Sequence, residues 1–384
     1  MVLKCYNYRP KNLGGYGIVR QLFFKFKRYN YITFYLNKSY MKNTLLLSLS
    51  TLVSTFSFSQ EIKKLFQSDE ILKITLKFNI NEVINDVKIR KERAAEFSYL
   101  QNDGKKITHK IKLNVRGNSR TNKDVCSFPP LKLNFKKKEI KNTLFYNQDK
   151  LKLVTHCNSS KKSENYVKRE YLIYKLYQEI TSNSINARLC EITYVDSEKN
   201  KKTFTKIGIL LEDVDDVAKR NNLKIFKNKI RNQEALEKTN LDNLTFFQYF
   251  IGNLDWSIPK RHNMKIAKAK NKGLPIAIPY DFDYSGFVNS PYSVPPEGYN
   301  ISSVKTRVFR GICRINNYRA TIKFYQNKKQ RLYTTINNAG FLDAKSKKDI
   351  IKYVDDFYAI LNNQKTLNKK IVKACRAKHK HTYQ

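Results

Sequence analysis

The apolar periodicity of this chain changes once, near residue 212, and that change limits the folds open to it. Before it, residues 72–80, 97–100, 107–115, 131–135, 150–154, 188–195 and 204–211 alternate with the two-residue period of half-buried strands. Asn102-Asp103-Gly104 separates the second and third runs with the turn chemistry of a hairpin. The exception is 164–180, where Val167, Tyr171, Tyr174 and Ile180 fall near helical spacing. From Asp215 onward helical patterns dominate, notably at 241–252 and 346–362. The expected fold is α+β: a mainly antiparallel, β-rich lobe over 61–215 and a mainly helical lobe over 216–384, joined near 212–216.

Inside the helical half lies one hairpin pattern. The runs MKIA and LPIAIP flank Asn271-Lys272-Gly273, with glycine where a tight turn needs a positive φ. If the strands pair symmetrically about Lys272, Asn263 lies opposite Asp281, within about 5.5 Å. A carboxylate and a carboxamide oxygen at that distance could share Mg²⁺, a hard cation that prefers oxygen ligands. Asp255, eight residues before Asn263 on the preceding loop, could take a proton from an attacking hydroxyl.

Met41 opens MKNTLLLSLSTLVSTFSFSQ, a lysine, a short apolar stretch and small polar residues, which resembles a secretory signal peptide over 41–60 and is too short for a stable membrane anchor. Residues 1–40 carry no carboxylate and are expected to be an extension from an upstream start codon. Export allows thiols to pair. Cys126 and Cys157, which flank one predicted sheet region, are the expected bridge. With Cys5 in the leader, the remaining five cysteines are odd in number, and none has CxxC spacing.

A net charge of +42 from 74 basic and 32 acidic residues suggests a polyanion partner. The 56 lysines, however, are spread through every segment beside heavy Asn, Ile and Tyr usage, the pattern of an AT-rich coding sequence. No RRM, KH or zinc-finger signature accompanies them, so no specific nucleic-acid partner is expected. GxSxG, HExxH and Walker motifs are missing, which argues against the common hydrolase, metalloprotease and P-loop classes.

Arg116-Gly117-Asn118-Ser119, then Lys132, the helix bearing Glu170, Asn253-Leu254-Asp255, His262-Asn263 and finally Pro279-Tyr280-Asp281-Phe282-Asp283 follow one another in an order that resembles the CotH-type secreted kinases, over roughly 105–290. The resemblance implies a two-lobed protein-kinase-like fold, ATP with Mg²⁺ or Mn²⁺, and phosphoryl transfer to Ser or Thr of exported proteins. It makes Asp255 the catalytic base, Asp281 and Asn263 metal ligands, and Asp283 a further metal contact. Lys132 would hold the α and β phosphates with Glu170 as its helix partner, Lys150 and Lys152 being alternative lysines. Arg116, Gly117, Asn118 and Ser119 would approach phosphate through backbone donors, and Glu212 is counted with the nucleotide contacts. A surface-adhesion protein that has lost the chemistry is the alternative expectation.

Overall fold

The computed structural model describes residues 61–375, apart from 102, 199–202, 271–272 and 314, together with the short antiparallel pair Gln21–Leu22 and Phe34–Tyr35. The expected extension and signal peptide lie outside the described residues save for that pair, as do the turn residues Asn102, Asn271 and Lys272. Two compact units divide the chain, residues 1–59 and 60–384, and the second holds everything that follows.

Seven strands close a barrel: β1 (Leu72–Phe78), β2 (Arg93–Leu100), β3 (Lys106–Val115), β4 (Leu131–Asn134), β5 (Lys150–Val154), β6 (Ala187–Asp196) and β7 (Phe204–Leu211). Their order around the barrel is β1-β2-β3-β4-β5-β7-β6, and β6 returns to β1. All neighbours are antiparallel except β1 and β6, which run parallel with Leu72 opposite Cys190 and Phe78 opposite Asp196. The inward residues Leu76, Phe97, Leu113, Leu133, Leu151 and Ile192 are almost fully buried and form one core. Gly208 on β7 belongs to this close packing, because an added Cβ would lie 2.6 Å from the Ile192 side chain and 2.9 Å from the Val154 carbonyl.

Helix α1 (Ile80–Asn85) follows β1, and α2 (Lys161–Ile180) crosses between β5 and β6. Ser160 caps α2 by accepting the Ser163 N–H at 3.2 Å, which satisfies one of the amides a helix start leaves unpaired. The outward faces of β6 and β7, through Leu189, Ile207 and Ile209, share a second core with Tyr171, Tyr174 and Tyr177 of α2. Helix α3 (Val214–Arg220) leads to a three-stranded sheet of β8 (Leu223–Ile225), β9 (Met264–Ala269) and β10 (Ile276–Pro279), with α4 (Lys238–Ile251) inserted before β9. Helices α5 (Ile315–Asn337), α6 (Ala344–Asn362) and α7 (Gln364–Leu367) follow, and a π-helical turn, Asn368–Val372, continues from α7.

The two-lobed kinase-like fold is therefore not what this chain forms. A closed mixed barrel replaces the expected β-rich lobe, and the later helices pack into a core that includes the barrel's outer face rather than forming a helical lobe of their own. Strand positions were readable because alternation is local. Closure depends on the β1–β6 and β5–β7 pairings, which join distant segments and leave no local signature.

Among the described residues, no helix is long and apolar enough to cross a membrane. Cys126 and Cys157 sit at disulfide distance with Cα atoms 4.7 Å apart, as expected. Cys313 and Cys375 form a second such pair, with Cα atoms 5.0 Å apart, which the spacing did not indicate. Cys190 is a buried free thiol inside the barrel.

Candidate functional site

Gly252 ends α4 in the left-handed conformation, at φ 63°, and turns the chain sharply into Asn253. The Asn253 side chain accepts the Asp255 N–H at 2.9 Å, and its carbonyl accepts the Trp256 indole N–H at 3.1 Å. This fixes the loop that carries Asp255. The three residues Pro259, Lys260 and Arg261 do not loosen it, because Ser257 and His262 close the turn with reciprocal backbone bonds of 3.0 and 2.9 Å. Arg261 anchors the turn from outside by donating to the carbonyls of Phe226 and Asn228 at 2.8 and 2.5 Å.

The turn brings His262 Nε2 to 2.7 Å from Asp255 Oδ1. Asn263 donates its side-chain amide to Asp255 Oδ2 at 2.9 Å and to the Asp255 carbonyl at 2.8 Å. Asp255 is thereby gripped on both carboxylate oxygens while remaining about one-third exposed. Beside it opens a cleft of about 430 Å³ lined by Asp255, Trp256, Lys260, His262, Glu297 and Arg310.

The hairpin register differs from the expected one. Met264 pairs with Pro279 and Ala267 with Ile276, so the ladder is centred between residues 271 and 272 and Asn263 faces Tyr280, whose N–H it accepts at 3.0 Å. A one-residue slip would normally send a side chain to the opposite face. Here Asn263 and Asp281 both leave the extended conformation, at φ 52° and 63°, so strand alternation no longer governs where they point. The Asp281 N–H is caught by the Tyr174 hydroxyl of α2 at 3.1 Å, which ties the turn after β10 to the helix that carries Glu170.

Asp283 is buried, accepts from the Tyr292 hydroxyl at 2.9 Å, and receives the Ser290 hydroxyl on its carbonyl at 2.9 Å. Burial, followed by the charge of Asp281, pushes the Asp283 carboxyl up to about 7. Glu170 is 1% exposed with Oε1 lacking a hydrogen-bond partner, and burial, then Asp283 and Asp281, hold it well above the usual carboxylate range. The Ser119 side chain lies beside Tyr284 of the same segment. Gly117 takes φ 88°, so the glycine turn exists as expected, while the Arg116 N–H is spent on the Pro130 carbonyl and Asn118 accepts from Thr121.

The expected Lys132 and its alternative Lys152 stand on neighbouring strands. Lys132 makes no ion pair with Glu170 among the described residues; it stands half-buried on β4 opposite Lys152 of β5. Lys152 is the lysine nearer the hairpin. Its Nζ lies 5.2 Å from the Tyr280 ring centre, and Lys265 Nζ lies 5.6 Å from the same centre. Burial lowers the Lys152 amine to about 8, and the neighbouring charges of Arg116 and Lys265 push in the same direction against Asp213 and Asp281. Arg116 Nε is buried without a hydrogen-bond partner. Glu212 is not a free ligand: Arg220 contacts both of its carboxylate oxygens at 3.0 and 3.1 Å, and Asn186 N–H donates to it at 2.9 Å.

The chain matches no family model and no curated protein.

Among the described residues no three His, Cys, Asp or Glu side chains form a ready metal cage. A cation that keeps its waters and shares phosphate oxygens needs only one or two protein carboxylates. Asp281 and Asp283, with the unsatisfied Glu170 behind them, suit that demand, and the Asn263 amide, its NH₂ spent on Asp255, has its oxygen left for a cation. Arg120, Lys265 and Tyr292 were not among the expected site residues, and Tyr280 entered only as part of the Pro279–Asp283 motif. Arg120 directly follows the Arg116–Ser119 glycine turn, and Lys265 and Tyr292 carry no signal that separates them from ordinary strand and loop residues.

Proposed function

We propose that this chain is an exported phosphotransferase that moves the γ-phosphoryl group of ATP, with Mg²⁺ or Mn²⁺, to a Ser or Thr hydroxyl of secreted or surface proteins. The observation that carries this reading is the convergence of Lys152, Lys265 and Arg116 at the Tyr280–Asp281 turn. Three cations held together, one of them partly discharged by burial, are stabilised by a polyphosphate. Asp281 beside them accounts for the metal that accompanies it.

In the transfer, the acceptor hydroxyl oxygen forms a bond to the γ phosphorus while the bond to the β–γ bridging oxygen breaks, ADP departs, and the hydroxyl proton passes to Asp255. Asn263 and His262 orient that carboxylate. Lys152 and Arg116 neutralise the phosphates, which in phosphoryl transfer supplies much of the rate. Asp281, Asp283 and the Asn263 side-chain oxygen would hold the metal, which would supply neutralising charge to the phosphates. The 430 Å³ cleft beside Asp255 admits the acceptor segment. The order of motifs, which resembles that of the CotH-type kinases, supports the same roles for Asp255 and Asp281, on a barrel scaffold. Two cysteine pairs at disulfide distance support export.

Thermal shift tests the reading. MnATP at about 100 times its Kd should stabilise the fold by about 2.7 kcal/mol. No shift with any nucleotide and metal would favour a non-catalytic surface-binding protein.

A further inference from the structure

Arg120 is 6% exposed and lies in the short 3₁₀ turn Ser119–Thr121 that follows the glycine turn. One end of its guanidinium donates from Nη2 to the Thr155 carbonyl at 2.6 Å, and Nε approaches Cys126 Sγ at 3.5 Å. Among the described residues no carboxylate comes within direct ion-pair distance of it. Instead it borders a small, narrow pocket of about 10 Å³ whose other walls include Glu170, Asp283 and Tyr292. A pocket of that size with several polar walls has room for a single water molecule. Glu170, one of those walls, has a buried Oε1 with no protein partner.

A buried guanidinium is costly unless opposite charge compensates it. Burial opposes the Arg120 charge, and Tyr292, Asp283, Glu170 and Asp281 act the other way, so the group stays charged. Glu170 and Asp283 would otherwise face each other as two uncompensated buried carboxylates.

We infer that Arg120 is a positioning residue that holds Glu170 and Asp283 behind Asp281, and that the Cys126–Cys157 bridge holds Arg120 there. Both of its anchors belong to the bridged loops: Cys126 is one half-cystine, and Thr155 lies two residues from Cys157. The same loops are laced by the Phe128 N–H to the Cys157 carbonyl at 2.9 Å and by the Ser127 N–H to Asn158 Oδ1 at 2.9 Å, so the fold should survive loss of the bridge while the cradle around the guanidinium should widen. What the carboxylates are arranged to do rests on the phosphotransfer reading; their arrangement by Arg120 does not.

The test compares the oxidised full chain with Arg120→Met, Arg120→Lys, the double variant Cys126→Ala/Cys157→Ala, and the distal control Cys313→Ala/Cys375→Ala. MnATP affinity is read by calorimetry and backbone hydrogen exchange by mass spectrometry. Arg120→Met should weaken MnATP at least tenfold and speed exchange at residues 281–285, Arg120→Lys should recover most of both, and the Cys126/Cys157 variant should fall between while the distal control matches wild type. Wild-type affinity and exchange in Arg120→Met would overturn the inference. If Arg120→Met does not fold, Arg120→Gln, which keeps a donor for the Thr155 carbonyl but carries no charge, decides: faster exchange confined to 281–285 supports it, and wild-type exchange overturns it. A wild type that binds no MnATP removes the phosphotransfer reading alone, and the exchange comparison still decides the role of Arg120.

Discussion

Asn263 holds Asp255 twice through one side-chain amide, at 2.9 Å to the carboxylate and 2.8 Å to the carbonyl. The loop and the first residue before β9 are thus locked to each other, although eight residues separate them. Asp255→Asn keeps this shape and removes the proton acceptor. It should lower turnover by about 10²–10⁴-fold, the range for a positioned general base, with MnATP affinity nearly unchanged. Asn263→Ala should weaken both the loop and metal binding. Steady-state phosphorylation beside calorimetry separates the two outcomes, and equal loss of nucleotide affinity in Asp255→Asn would remove it from the role of base.

Lys152 gives a pH dependence. Its amine sits at about 8, below the ordinary lysine value of 10.5, chiefly because of burial. Between those values the unfolded chain binds more protons than the folded one, so stability rises with pH across that window; at neutral pH the charged amine is a burden. Lys152→Met should therefore stabilise the ligand-free chain, by at most about 3 kcal/mol for a shift of this size, while cutting MnATP affinity. Affinity of the wild type should fall as pH rises through about 8. Denaturant titration of the variant that shows a loss of stability would contradict this account of the cationic cluster.

Gly252 carries the geometry of the loop. At φ 63° an added Cβ is strained and would meet the Tyr353 hydroxyl, which itself donates to the Lys305 carbonyl at 3.1 Å. Gly252→Ala should destabilise by about 1–3 kcal/mol, the usual cost of a misplaced left-handed residue. Lower turnover without a change in the midpoint of urea unfolding would show that the cost falls on the loop alone.

Much of the local structure was legible in the sequence. Strands at 150–154 and 204–211 fall where alternation put them, and α2 extends the expected helix by only three residues at its start. Asp255 and Asn263 come together because the turn between them closes through Ser257 and His262, which spacing alone could not show. One reading failed for lack of a local signal. The hairpin register depends on how residues 268–275 divide between strand and turn, and symmetry about Lys272 placed it one residue off. Lys132 and Lys152 share alternation, strand type and face, and they differ only in which neighbour lies beyond them: Lys152 has Tyr280 and Lys265. Barrel closure likewise depends on pairings between distant strands.

In the proposed function Asp281 and its neighbours hold a metal-bound polyphosphate for transfer. The most direct measurement is incubation of the oxidised full chain and of Asp281→Ala with γ-labelled ATP and Mn²⁺, reading label on protein together with nucleotide binding. The account predicts binding and autophosphorylation by the wild type, both lost in Asp281→Ala. Equal inactivity of the two proteins, with neither binding ATP, would contradict it.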